Sequence, residues 1–273
     1  MAAKTRVDQL RAEGRDIIDF TVGEPDLPTP AHIVQAGIDT LNSGDIRYTA
    51  SAGAKPLLQA VRAKFQRENG LDYGLDELIV GVGAKQLIFT ALAATVQAGD
   101  EVIIPAPYWV SYPDMVLVND GTPVVVACPE ADGFKLTPQA LEAAITPRTK
   151  WVLLNTPSNP TGAMYGADEL RALGEVLARH PQVWLMTDEI YEHLAYGQAR
   201  HASPAAVVPA LAARTLTING VSKAYAMTGW RLGYAGGPKA LIKAMATLIS
   251  QSTSCVSAIS QSAARVALTA DQR

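Results

Sequence analysis

Four short stretches carry residues able to do chemistry. The sharpest is "NGVSKAYAMTGWRLGY" (219–234), in which Lys223 is the only cation between Arg214 and Arg231. A free lysine near its ordinary pKa of ~10.4 is a poor nucleophile at neutral pH. Burial and a neighbouring cation lower that value, and the neutral amine can then capture an aldehyde as a Schiff base. The alternative for such a lysine, taken alone, is a side chain snorkelling from a strand end to solvent. A second stretch, "VWLMTDEIYEHL" (183–194), ends an apolar run on Asp188 and Glu189. That pair could hold magnesium in a nucleotide hydrolase, but no GK[ST] loop accompanies it. Asp188 and His193 form no convincing metal pair, because five positions do not align on a helix face. None of the four histidines has HExxH or Cys/His spacing, so no metal is expected.

The third stretch, "VGVGAKQL" (80–87), reads as a strand, two glycines and a helix start. Free N–H groups at a helix N-terminus form an anion site. It is neither a dinucleotide fingerprint, lacking the third glycine, nor a P-loop. Lys85 opposes the helix dipole from the first turn, which suggests an anion nearby, although a solvated lysine is the ordinary alternative. The fourth, "NTPSNPTG" (155–162), is dense in turn formers and reads as a loop. Within it the Asn159 amide can donate to a ligand oxygen. A phosphate cradle, a donor to a hydroxyl, a carboxylate and a Schiff-base lysine together are what pyridoxal 5'-phosphate requires of a protein.

Residues so far apart must be gathered by a fold. Apolar, β-branched runs occur at 77–82, 101–105, 122–128, 149–155, 182–188 and 214–218. Helical periods lie between several of them, at 54–69, 84–97, 137–145 and 166–180. Thr137 followed by Pro138 is a cap and a first-turn proline. Alternation of this kind predicts an α/β fold with a mostly parallel sheet sandwiched by helices. Ligands of such sheets bind beyond the carboxyl ends of the strands, where all four stretches fall. The first thirty or so residues, with "GEPDLPTP" (23–30), read as an irregular arm outside the sheet, and 252–273 as a helix running to the last residue. With 273 residues, 48% hydrophobic and 18% charged, the chain suits one large domain or two smaller ones. A net charge of −3 and the lack of basic runs argue against nucleic acid or an anionic membrane as partner. No apolar run is long enough to span a bilayer, and "MAAKTRVDQLRAEG" is not a signal peptide. Cys128 and Cys255 read as reduced thiols of a cytoplasmic protein.

From "TVGEPDLPTP" through "RYTASAG", "PAPYWVSYP", "ITPRTK", "SNPTGAMY" and "DEIYEHL" to "SKAYAMTGWRLGYAGGP", the chain resembles the class I pyridoxal-phosphate aminotransferases of fold type I. It is most similar to the bacterial aspartate aminotransferase branch, some members of which also accept prephenate. The resemblance implies that Lys223 holds the cofactor covalently and then moves the proton during transfer. It implies that Asp188 faces the pyridine nitrogen, that Asn159 and Tyr191 donate to the ring's phenolic oxygen, and that Trp109 stacks on the ring. The phosphate would lie on Gly83, Ala84 and Lys85, with Ser222 and Arg231 alongside. Tyr48 matches a tyrosine that reaches the phosphate of a neighbouring subunit, which implies a homodimer. Gly23 matches a backbone contact to the substrate carboxylate, and Lys85 a reader of the distal carboxylate of acidic substrates; Trp109 and Asn159 complete the substrate set.

Two departures accompany the match. Gly220 stands where many relatives carry a serine on the phosphate. Relatives also continue past residue 273 into a small domain bearing an arginine for the substrate's α-carboxylate. The expected organisation is therefore an N-terminal arm or part of a small domain over 1–32, and a cofactor-binding large domain over 33–273 that stops before the C-terminal small domain. The expected activity is ping-pong amino transfer from aspartate or glutamate to a 2-oxo acid. The alternatives are β-elimination or related chemistry on the same fold, and a cofactor-binding fragment or module with little turnover.

Overall fold

The six apolar runs of the sequence, with a seventh strand at Gly233–Gly236, pair into one sheet. In the computed structural model, which describes residues 2–21 and 23–271, the strands are β1 (Leu78–Gly81), β2 (Glu101–Ala106), β3 (Thr122–Ala127), β4 (Thr149–Asn155), β5 (Trp184–Asp188), β6 (Thr215–Gly220) and β7 (Gly233–Gly236). Their order is β1-β7-β6-β5-β4-β2-β3. β7 is antiparallel to both β1 and β6, and the other pairs are parallel. Every strand except β7 therefore presents its carboxyl end on the same side, where β7 presents its amino end.

Among the described residues there are ten α-helices: α1 (Ala2–Ala12), α2 (Ala31–Ser43), α3 (Lys55–Lys64), α4 (Ala84–Thr95), α5 (Ser111–Val118), α6 (Pro138–Ala144), α7 (Ala167–Ala178), α8 (Pro204–Val207), α9 (Lys239–Ser252) and α10 (Ala258–Thr269). The period of two along β2 and β4 sorts their side chains between two cores. Val102, Ile104, Trp151 and Leu153 join Leu87, Ile88, Leu92 and Met245 on one face. Ile103, Val152 and Leu154 join Leu141, Leu170, Leu173 and Leu177 on the other. Burial on both faces explains why these strands read as continuous apolar runs. A third core packs Leu57, Val61 and Phe65 against Leu78, Val80, Tyr234 and Ala264, and it ties α3 and α10 to the β1–β7 edge.

The Thr137 hydroxyl accepts from the Ala140 N–H at 3.2 Å and starts α6, as its position before Pro138 predicts. Other expectations need correction. The N-terminal segment is not wholly irregular: α1 forms with Lys4 paired to Asp8 at 2.8 Å one turn on, and with Lys4 also 3.0 Å from Asp19. Its stability is local and ionic rather than apolar, so hydrophobic periodicity missed it. The helix expected over 54–69 is α-helical only to Lys64 and closes in a π turn at Phe65–Asn69. The helix expected over 252–273 begins later, at Ala258, because Ser252 ends α9 and Ser254 takes φ 63°. Gln272 and Arg273, the last residues of that expectation, lie outside the described residues, as does Val22 of "TVGEP".

Candidate active site

The parallel order brings the ends of β4, β5 and β6 side by side. Asn155 is the register partner of Asp188, which is itself opposite Ile218 of β6. The segments leaving these strands carry Asn159, then Tyr191, then Ser222 and Lys223. The loop after β1 supplies Gly83, Ala84 and Lys85 at the start of α4, and the loop after β2 supplies Trp109. Because β7 runs backwards, the residues before it come to the same side, and these include Arg231. A cavity of about 550 Å³ opens there. Gly23, Ala84, Lys85, Trp109, Asn159, Asp188, Tyr191, Ser222, Lys223 and Arg231 all line it. Gly83 lies against it through the Arg231 guanidinium, whereas Tyr48 lies outside it, 90% exposed at a second cavity with Arg47 and Arg265.

The electrostatics of the cavity are polarised. Asp188 is 5% exposed, and burial raises its pKa to about 6 even though it accepts a hydrogen bond from the Tyr112 hydroxyl at 2.7 Å. A buried carboxyl in this state is poised for a cationic partner, which would draw it to the ionised form. The Lys223 amine is pushed down from its ordinary value by burial, with Arg231 adding to the effect and Glu24 opposing it. Its Nζ donates to the Gly23 carbonyl and lies 5.8 Å from the Tyr191 ring centre. The Asn159 amide nitrogen is 3.5 Å from the Tyr191 hydroxyl, and burial raises the Tyr191 pKa, Asp188 adding to it. Lys85 stacks its ammonium 4.6 Å from the Trp109 ring centre and donates to the Ser111 hydroxyl at 3.2 Å.

One corner is built for an anion. Gly83 caps α4 at φ 82°, ψ 162°, a conformation open in practice to glycine alone. A Cβ there would lie 2.5 Å from Arg231 Nη2, so the guanidinium sits directly on the glycine. Arg231 is itself held in the left-handed region at φ 54°, with Nη1 donating to the Thr228 carbonyl at 2.9 Å. Non-glycine residues occupy that region at a cost of roughly 1–2 kcal/mol, and such strain gathers at functional sites. A guanidinium beside the first N–H groups of a helix, which have no intrahelical partner, is a phosphate-type receptor, although the Gly83 N–H itself donates to the Gly81 carbonyl at 2.8 Å. The donor set thus fits a ligand with a phosphate at one end, a protonatable ring nitrogen at the other and an aldehyde within reach of Lys223.

Sequence reasoning missed several cavity residues. Tyr112, in "PAPYWVSYP", carries no local sign of a role, although it bonds Asp188 and meets Trp109 edge-on at 5.3 Å. Asn155 anchors the neighbouring loop, accepting from the Asn159 N–H at 2.6 Å and donating to the Asp188 carbonyl at 2.9 Å. Its signal was available, since it is the polar residue that ends the "WVLL" strand.

The chain is similar to known proteins over nearly its whole length. Aspartate aminotransferase of Rhizobium meliloti (strain 1021) is 56% identical over 267 residues, which are 98% of this chain and 65% of that protein. Aspartate/prephenate aminotransferase of Cereibacter sphaeroides is 56% identical over 272 residues, 100% of this chain and 68% of the relative. The chain therefore spans just under two thirds of the length of the first of these relatives. The crystal structure of the Rhizobium meliloti aspartate aminotransferase superposes with a TM-score of 0.97 over 99% of this chain and 68% of that one. The Thermus thermophilus aspartate aminotransferase with maleate, 46% identical, superposes at 0.93 over 98% of this chain and 69% of its own. The profile described as aminotransferase class I and II matches residues 15–273, and with it the chain belongs to the class I and II aminotransferase family.

Proposed function

We propose that this chain binds pyridoxal 5'-phosphate and supports amino transfer between an acidic L-amino acid and a 2-oxo acid. The observation that carries the reading is one cavity in which a buried carboxyl, a pKa-lowered lysine and an arginine-backed helix start face one another. When bound, the cofactor supplies an aldehyde to hold the amino group and a cationic ring to take up the electrons released at the substrate's Cα.

The chain's own residues supply binding, orientation and proton movement. Arg231, Ser222 and the backbone of Gly83, Ala84 and Lys85 would hold the phosphate, to which a planar guanidinium is suited. Asp188 would hold the proton on the ring nitrogen, and its burial would make that interaction strong. Asn159 and Tyr191 would donate to the cofactor's phenolic oxygen, and Trp109 would cover the ring. Lys223 would hold the cofactor covalently at its aldehyde and, when freed by substrate, would carry the proton to and from the substrate's Cα. Burial lowers its pKa and makes the neutral amine more accessible. The Gly23 backbone meets the substrate's carboxylate and Lys85 its distal carboxylate. Tyr48 belongs to this scheme only through a second copy of the chain, as a homodimer in which it reaches the partner's phosphate. We read residues 1–32 as an arm or part of a small domain, and 33–273 as the cofactor-binding domain.

No helix among the described residues is long and apolar enough to cross a membrane. Cys128 and Cys255 are free thiols, which supports a reducing, cytoplasmic setting.

The test separates binding from turnover. Aspartate and 2-oxoglutarate added to the reconstituted chain should give oxaloacetate and glutamate, and Lys223→Ala should abolish both while the circular dichroism spectrum stays that of the parent. Ammonia and pyruvate as products would favour elimination instead. Cofactor binding without either product would limit the reading to binding.

A further inference from the structure

Beneath the cavity floor lies a buried ionic network that the proposed chemistry does not use. Asp188 and Tyr191 line the cavity, but Glu189 and Glu192 turn away from it and are fully and nearly fully buried. Lys64 of α3 is completely buried and pairs with Glu192 Oε1 across 128 positions of sequence. Its Nζ also donates to Asn69 Oδ1 at 2.7 Å, and Asn69 Nδ2 donates to Glu192 Oε2 at 2.6 Å. Glu189 accepts from the Thr187 hydroxyl at 2.8 Å, from the Ser203 hydroxyl, and lies 2.8 Å from His201 Nε2. The segment carrying Asp188 and Tyr191 is thus pinned from below at Glu189, which lies between them, and at Glu192, which follows Tyr191.

A buried ion pair is costly to desolvate, and an apolar pair of similar volume would usually serve stability as well. Its retention directly under two cavity residues calls for another reason. We propose that this network is a positioning device: it fixes the 188–192 segment so that Asp188 and Tyr191 present to the cavity, and it keeps Asp188 dry with a second carboxylate, Glu189, behind it. Lys64, Asn69, Glu189 and Glu192 are positioning residues, acting through Asp188 and Tyr191 rather than on any ligand.

The charges around Asp188 are consistent with that role. Tyr112 of α5 and the Ile190 N–H face it from the cavity side and favour its ionised form, whereas burial and Glu189 favour the protonated one. Glu189 in turn faces His201, whose pKa is raised by Glu189 and Glu192 against the opposing effect of burial, and lies near the Tyr73 and Tyr234 hydroxyls. Lys64 and Glu68 complete the set from α3 and the turn after it, with Glu68 3.6 Å from the Lys64 ammonium and 3.0 Å from His193.

The inference rests on the proposed function for what Asp188 does, but its test does not. The titration midpoint of Asp188 would be followed by carboxyl 13C NMR in the full chain without cofactor, and the dissociation constant for pyridoxal phosphate measured separately. Glu189→Gln removes the charge and keeps the side chain's size and shape, exchanging one of its two acceptor oxygens for a donor. The paired change Lys64→Met with Glu192→Gln removes both partners and leaves no lone buried charge, so it keeps the fold accessible if the first variant does not. Both should lower the Asp188 midpoint below the parent's and weaken cofactor binding, with a melting temperature close to the parent's in the paired variant. A merely structural network would change the melting temperature and leave the midpoint alone. Folded variants with an unchanged midpoint overturn the proposal. A parent chain that binds no pyridoxal phosphate counts instead against the proposed function, and the midpoints still decide the network's effect on Asp188.

Discussion

Gly83→Ala probes the anion corner at its tightest point. The backbone at this position, φ 82° and ψ 162°, is costly for any residue with a side chain, on the order of 1–3 kcal/mol. The added methyl carbon would also lie 2.5 Å from Arg231 Nη2. That contact is relieved by swinging the arginine, which is long and flexible, so the clash itself adds little to the loss of stability. The consequence falls on binding: an arginine moved off the glycine no longer grips a phosphate. Losing one charge-assisted hydrogen bond is worth about 1.5–3 kcal/mol, or roughly ten- to a hundredfold in affinity. Gly99→Ala is the matched control, since Gly99 has φ 96° but nothing within 4 Å of where its Cβ would be. The assay is a pyridoxal-phosphate titration beside a thermal melt for both variants. Comparable losses of melting temperature with a large loss of affinity at Gly83 alone are expected. A Gly83→Ala chain that binds as tightly as the parent would refute the phosphate assignment.

Two further outcomes follow from the same geometry. Burial raises Asp188 from the ordinary carboxylate value to about 6 in the cofactor-free chain, so its contribution to stability is full below the unfolded pKa and lost as pH rises through about 6. Asp188→Asn removes that dependence, and chemical denaturation should show the variant gaining about 3 kcal/mol on the parent between acid and mildly alkaline pH, with no gain if the carboxyl is not raised. Lys85→Met removes the ammonium held over Trp109 and should cut kcat/KM for aspartate roughly tenfold or more, while an aromatic amino acid is little affected. Equal losses for both substrates would place Lys85 outside substrate selection.

Much of the architecture was legible because strands buried on both faces announce themselves. "TKWVLLN" coincides with β4 from Thr149 to Asn155, and the run ending at Asp188 with the end of β5. β7 was not read: "GYAG" is short, half glycine and without alternation, and it is a strand only because β1 and β6 close on it from both sides. That one antiparallel strand is what delivers Arg231 to the cavity. The site residues were legible as types at strand ends, but their partners were not. No local pattern links Tyr112 to Asp188, which are 76 positions apart, or Lys64 to Glu192. Those links are made by packing, and only the folded chain reveals which carboxylates face the ligand and which face the core.

The most direct test of the central claim is borohydride reduction of the chain after addition of pyridoxal phosphate, followed by peptide mass mapping. The account predicts a visible absorbance band that reduction removes, and a phosphopyridoxyl group on the peptide containing Lys223. A chain that stays colourless, or a label spread over exposed lysines with Lys223 unmodified, would contradict it.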